Sequence, residues 1–418
     1  MTERHTRLAC YLGMVTQAVS INFPALLFVV FYQDYKVSFS ALGVLIILTF
    51  VVQLLIDLLC ARYVDRLGYR LASLGAAGFS AVGMLLLPFL VRILPVDYAF
   101  TGIVAAILFT SIGSGLLEVV VSPILEALPS EKKSADMAIL HAAYCWGYVL
   151  CVLVSTLFFV LFGLQRWPIM AVIWSLIPFV AFYFFLFAPL SHPVAEGKTP
   201  MRLRDLFGSR VFLLLVVIMV CSGAAEQSMA QWASLFAQLG MGVSKTLGDL
   251  MGPMLFAVLM GASRTYYGVK GCEIDLEKEL KRNAILGVFG YLLAVFGHYP
   301  LLNLIGCGIC GLAVGLMWPG TISLGARLFP LGGSALFSLL AMGGDIGCAL
   351  GPGMVGCVSD WAQVLFTNHE KVRSVISWVT GSTEVTQLGL KAGLFLALLF
   401  PGAVYLTVRR IQRRLRKQ

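Results

Sequence analysis

The chain has 418 residues, 59% of them hydrophobic and only 12% charged, a balance that excludes a soluble globular protein and marks an integral membrane protein. Its formal net charge of +9 calls for no nucleic acid, because most of the 30 Lys and Arg residues flank apolar runs or fill the C-terminal tail. No Walker loop, HExxH or GxSxG motif occurs, so neither ATP-driven chemistry nor an enzyme is expected, and no cofactor or metal is implied.

A membrane-spanning helix needs about 20 apolar residues. Twelve runs qualify, near residues 8–32, 41–61, 71–93, 98–128, 136–163, 168–189, 211–238, 246–265, 283–298, 300–328, 331–358 and 388–408, the ninth being the shortest. An all-α membrane protein of twelve spans is predicted. With the N-terminus inside, the inner segments collect Arg4, Arg7, Arg62, Arg66, Arg70, Lys132, Lys133, Lys198, Arg202, Arg204, Arg210, Arg264, Lys270, Lys278, Lys281, Arg282 and Arg327. The tail from Arg409 to Lys417 adds six more, and the excess of basic residues on that side predicts a multi-pass cell-membrane protein with both termini in the cytoplasm. The tail itself reads as an anchor on anionic lipid. The first run lacks a small-x-small cleavage site and is read as an uncleaved span.

The first run carries Gln17 and Asn22-Phe-Pro but no acid, and the second carries Gln53 and Asp57 four residues apart on one helix face. After the second run comes Ala61-Arg-Tyr-Val-Asp65-Arg66-Leu-Gly68-Tyr-Arg70. This stretch resembles the loop signature of the major facilitator superfamily, Gly-x-x-x-Asp-Arg-x-Gly-x-Lys/Arg, with Ala61 in place of the first glycine. The counterpart after the eighth run, Gly261-Ala-Ser-Arg264-Thr-Tyr-Tyr-Gly268, keeps little of it. The resemblance covers the whole chain and implies a secondary transporter working by alternating access. Asp65, Arg66, Gly68 and Arg70 would then be gating residues, because an aspartate at a cytoplasmic helix end can meet another helix's positive N-terminus, such as the eleventh at Gly332 and Gly333. A plain surface salt bridge is the alternative.

The fourth run holds Glu118 and, five residues on, Pro123. An ionised carboxylate in hydrocarbon is costly, so Glu118 is expected to bind a proton, a cation or a ligand, the alternative being a hydrogen bond to a neighbouring helix. Glu118-x-x-x-Ser122-Pro123 together with Asn22-Phe-Pro is similar to the fucose, galactose and glucose symporter branch of the superfamily, where an acid in the fourth span precedes an Asn-Pro. That branch has an acid in its first span; this chain has Gln17 and Asn22 there. In the fifth run His141, Tyr144, Cys145 and Tyr148 form one helical stripe, with Trp146 beside it.

A polar segment with two prolines, Ser191 to Asp205, divides the chain. We expect an N-terminal six-helix bundle over 1–190, a cytoplasmic linker over 191–210 and a C-terminal bundle over 211–418. The halves echo one another: Val37-Ser and Val243-Ser open the second and eighth runs, Ser134-Ala135 and Ser334-Ala335 the fifth and eleventh, and Ser122-Pro123 answers Trp318-Pro319. Cys307-Gly-Ile-Cys310 lies in a Gly-rich apolar run without a second ligand pair and is read as packing. The segment from Ser359 to Gly389 predicts either a surface helix or a cap on the outer mouth.

Four acids fall inside runs: Asp57, Glu118, Glu226 and Asp345. No Lys or Arg is expected at their depth, and His141 is the remaining titratable group near them. Two readings follow: the acids couple a neutral solute to protons, or they attract a cationic substrate or sodium. Paired amides and carboxylates, which present donors and acceptors together, favour a sugar-like solute. The expected proton-coupling residues are Glu118, Asp57, Asp345 and His141. The expected substrate contacts are Asn22, Gln53, Glu226, Gln231, Trp232, Tyr144, Trp146 and Trp318, the aromatics serving as platforms for a sugar ring. The function read is proton-coupled import of a small neutral sugar by a monomer in the lipid bilayer. The alternatives are a proton-driven exporter of cationic or lipophilic compounds and a non-transporting membrane sensor.

Overall fold

The computed structural model of the protein describes residues 2–27, 30, 31, 34, 35, 37, 39–131, 133–190, 201, 203–241, 246, 248, 250–270 and 274–416. Among them the secondary structure is helical throughout. The first six long helices are α1 (Glu3–Leu26), α2 (Phe39–Leu67), α3 (Tyr69–Ile93), α4 (Ala99–Ala127), α5 (Lys133–Phe162) and α6 (Trp167–Phe187). The second set comprises α7 (Arg210–Met241), α8 (Leu255–Lys270), α9 (Leu276–Phe296), α10 (Pro300–Leu328), α11 (Gly333–Asn368) and α12 (Val385–Leu415). Eight helices among the described residues are long and apolar enough to cross a membrane.

The chain separates into two compact units, one of residues 1–206 with 328–342 and the other of 207–327 with 343–418. Within each unit the same pairings recur. In the first, α1 packs on α4 and α6, α2 on α4, and α3 on α4 and α6. In the second, α7 packs on α10 and α12, α8 on α10, and α9 on α10 and α12. This is the duplication that the paired dipeptides announced, now expressed as packing.

Small residues let the helix backbones approach closely enough for dispersion to hold them in an apolar solvent. A Cβ at Gly113 of α4 would stand 2.6 Å from the Ala76 carbonyl oxygen of α3. At Gly347 of α11 it would overlap the Val220 carbonyl of α7. Larger side chains fill the remaining space; in the first unit Phe23, Leu27, Ile103, Trp167 and Trp174 share one core, where Trp174 Nε1 donates to Ser155 Oγ at 3.0 Å.

Helix ends depart from the apolar runs because a helix continues past the hydrocarbon wherever polar residues still support it. α9 begins seven residues before its run, at an Asp275 cap whose side chain accepts from Lys278 N. α11 extends to Asn368, and the Ser359–Gly389 segment is helix rather than coil: after α11 comes a short helix, Glu370–Thr380, ended by Gly381 at φ 67°. The basic tail is likewise helical as far as Leu415, as the last turns of α12. Most of the 191–210 segment lies outside the described residues, with a short helix at Leu203–Gly208.

Candidate functional site

In the first unit two hydrogen bonds meet on one face of α4. Glu118, partly accessible, accepts through Oε2 from Gln17 Nε2 of α1 at 2.9 Å. One turn earlier Ser114 Oγ accepts from Gln53 Nε2 of α2 at 3.2 Å. Residues four apart on a helix are neighbours, so the two amides from α1 and α2 arrive side by side. Gly115 makes room for α2, since a Cβ there would lie 3.2 Å from Gln53 Cα. Asp57, one turn beyond Gln53, is fully buried.

The remaining candidates of this unit are spread more widely. Asn22 donates to the Ala18 carbonyl of its own helix at 2.8 Å. On α5, His141, Cys145 and Tyr148 are buried and Tyr144 is half-buried, whereas Trp146 is 44% exposed. The predicted stripe is therefore a face of α5, and Trp146 stands off it. Of the gating residues, Gly68 at φ 85° is the single-residue break between α2 and α3, a conformation that favours glycine. Arg70 donates to the Phe185, Leu186 and Ala188 carbonyls and so caps α6, the last bond at 2.8 Å. Arg66 is exposed, and the Asp65 side chain lies outside the described residues.

The second unit corrects the expectation of acids without a basic partner. Arg264, expected in a cytoplasmic loop, is inside α8, 2% exposed, and its Nη2 donates to Glu226 Oε2 of α7 at 2.9 Å. Its Nε donates to the Gly315 carbonyl of α10 at 2.8 Å. The stretch Gly261 to Gly268 is thus helix, not a loop signature, and the apolar run merely stopped one turn short of the helix end. Glu226, expected as a substrate contact, is a member of a buried ion pair. Asp345 on α11 is buried as well.

The aromatic and amide candidates of this unit line the α7, α10 and α11 contacts. Trp232 Nε1 donates to the Pro352 carbonyl at 3.2 Å, and Gln231 Nε2 to Gln227 Oε1 at 3.3 Å. Trp318 is 8% exposed and packs closely on Gly344, where a Cβ would overlap its ring. Among the described residues no cluster of three or more His, Cys, Asp or Glu could hold a metal ion.

A family model of the Major Facilitator Superfamily matches residues 8–352. The chain belongs to that superfamily. No curated protein sequence matches it. Solved structures do: the major facilitator transporter FucP in its outward conformation, the fucose:proton symporter of E. coli, aligns with a TM-score of 0.70 at 15% identity over 97% of this chain and 98% of that one. The human organic anion transporter MFSD10 aligns with a TM-score of 0.70 at 16% identity over 97% and 99%. The proton:xylose symporter XylE bound to 6-bromo-6-deoxy-D-glucose aligns with a TM-score of 0.70 at 14% identity over 95% and 94%. At these identities the likeness is one of fold. The molecule is accordingly an all-α, multi-pass major facilitator transporter of the twelve-helix type, and the eight long apolar helices, together with α1, α2, α8 and α9, are its spans.

Four functional neighbours escaped sequence reading as site members. Gln17 was noted for what it is not, an acid, and its bond to Glu118 crosses 101 positions. Ser114 carries no signal beyond its helical spacing from Glu118. Arg264 could have been found by asking whether a basic residue one turn inside a helix end shares the depth of an acid on a neighbouring span. Tyr291, fully buried, donates its hydroxyl to the Ala225 carbonyl beside Glu226 at 2.6 Å, and nothing in the sequence marks it out.

Proposed function

We propose that the transporter imports a small neutral sugar or sugar-like solute together with protons, across the cell membrane and as a monomer with both termini in the cytoplasm. Glu118 is the coupling carboxyl. The observation that carries the reading is its bond to Gln17: a partly accessible carboxyl within an apolar span, with a neutral amide as donor. An amide donates to a carboxylate and accepts from a carboxylic acid, so the Gln17 bond can be kept in either protonation state of Glu118. The ionised form by itself costs roughly several kcal/mol in hydrocarbon, which ties loading and release to the conformations that admit water.

Asp57, Asp345 and His141 stand in reserve for coupling. Asn22, Gln53, Gln231, Trp232, Tyr144, Trp146 and Trp318 supply the solute with amide donors and acceptors and with aromatic faces. Glu226, bonded to Arg264, leaves that set for a structural one. This neutralisation also weakens the exporter reading, because one fewer acid is available to draw in a cationic lipophile. The sugar:proton symporters among the neighbours of the fold point the same way as the two amides, Gln17 and Gln53, that meet α4.

In proteoliposomes, Glu118→Gln is expected to abolish uptake of radiolabelled D-glucose, D-xylose or L-fucose driven by an inward pH gradient while leaving equilibrium exchange of the same sugar intact. Gradient-driven uptake at the wild-type rate would remove Glu118 from the coupling role.

A further inference from the structure

Two of the bonds that the buried Arg264 makes differ in kind, one to Glu226 and one to the Gly315 carbonyl, and the second has a specific cause. In an α-helix the carbonyl of residue i accepts from the N–H of residue i+4. For Gly315 that donor would come from Pro319, which has none, and the proline ring also pushes against the carbonyl four residues earlier. The ladder of α10 is therefore open at this step: the helix is continuous up to Val314 and resumes at Met317, while the next carbonyl, Leu316, accepts normally from Gly320 N at 2.8 Å. Gly315 itself keeps helical angles, φ −51° and ψ −40°, so the gap is one of hydrogen bonding rather than of chain direction. Arg264 Nε fills it at 2.8 Å.

Everything around the gap serves that bond. α8 reaches α10 because Gly315 has no side chain; a Cβ there would lie 2.6 Å from Ser263 Cβ, and one at Gly311 would overlap the Phe256 carbonyl. Glu226 meets the guanidinium from the α7 side at 2.9 Å and neutralises it where water does not. Just past the gap come Trp318, pressed onto Gly344 of α11, and Pro319. We propose that Arg264 is a positioning residue for α10: it supplies in trans the hydrogen bond that Pro319 withholds, with Glu226 as its counter-ion, so that α8 and α10 hold one register and Trp318 keeps its seat on α11. The pair is a splint and carries neither the coupling proton nor the solute.

Hydrogen exchange of the full-length protein in lipid nanodiscs, read on peptides covering Val314 to Ile322, tests this without knowledge of the solute. To avoid stranding a buried charge, Glu226→Gln and Arg264→Gln are made together. The double variant is expected to speed exchange in those peptides by about tenfold relative to the native chain, the scale of one strong hydrogen bond. Pro319→Ala restores an N–H for Gly315, and in that background the effect of the double change should vanish. In the otherwise native chain Arg264→Lys keeps the charge opposite Glu226 but loses Nε; it should loosen the same peptides while thermal stability in detergent stays closer to wild type than that of Arg264→Gln. Loosening that is the same with and without Pro319, or no loosening in either background, overturns the splint.

Discussion

The two units of the transporter hold a membrane-embedded glutamate in opposite ways. In the first, Glu118 accepts from the neutral amide of Gln17; in the second, Glu226 is bonded to the guanidinium of Arg264. An amide can serve either protonation state of a carboxyl, whereas a buried guanidinium, which does not deprotonate, demands that its partner stay ionised. On the coupling role proposed for Glu118, one unit keeps a group that can change its charge, while the other uses its acid to hold helices together. The two units share the helix pairings described above, so this difference is one of side chains.

The largest effect should come from breaking the second arrangement. Arg264→Gln leaves Glu226 as a buried carboxylate without its cation, a change that costs about 3–5 kcal/mol in buried pairs. The thermal midpoint in detergent should fall steeply, and Glu226→Gln added to it should recover most of the loss. A double variant no more stable than Arg264→Gln alone would show that the guanidinium, rather than the pairing, is what the unit needs.

How much of this could be read in advance follows from which forces the sequence records locally. Hydropathy located the eight helices that are long and apolar enough to cross a membrane, because lipid imposes the same demand on each run. It misplaced the ends of α9 and α11, where polar residues such as Glu277, Glu279 and Lys281 continue a helix that hydropathy alone would stop. It also misassigned Arg264: a single basic residue near a run's end counts as loop until a partner is seen, and that partner lies 38 positions away on another helix. Glu118 was legible, being an expensive residue in plain view. Gln17 was not, because an amide is cheap enough to occur anywhere.

The first unit can be tested against the second through pH. Gln17→Leu removes the amide that meets Glu118, and hydrogen bonds to a charged group are worth about 1.5–3 kcal/mol against about 1 for neutral ones. If Glu118 carries the coupling proton, the loss of thermal stability should therefore be smaller at acid than at neutral pH, and it should be small and flat in a Glu118→Gln background. A penalty independent of pH in the native background would mean that Glu118 does not change charge, and the contrast with Glu226 would collapse.

The weakest of the three contacts sets the scale for the others. Gln53 and Ser114 are neutral and buried, and their bond of 3.2 Å sits one turn from Glu118. Ser114→Ala strands the Gln53 amide, which should cost about 1 kcal/mol, while Ser114→Ala with Gln53→Leu removes donor and acceptor together and should return most of it. The comparison sharpens when the same cycle is read in sugar uptake. If Gln53 only braces α2 on α4, the double variant takes up D-glucose with an unchanged KM. If Gln53 also meets the solute, KM rises in the double variant even though stability is restored, because leucine fills the gap between helices but offers a hydroxyl nothing to bond.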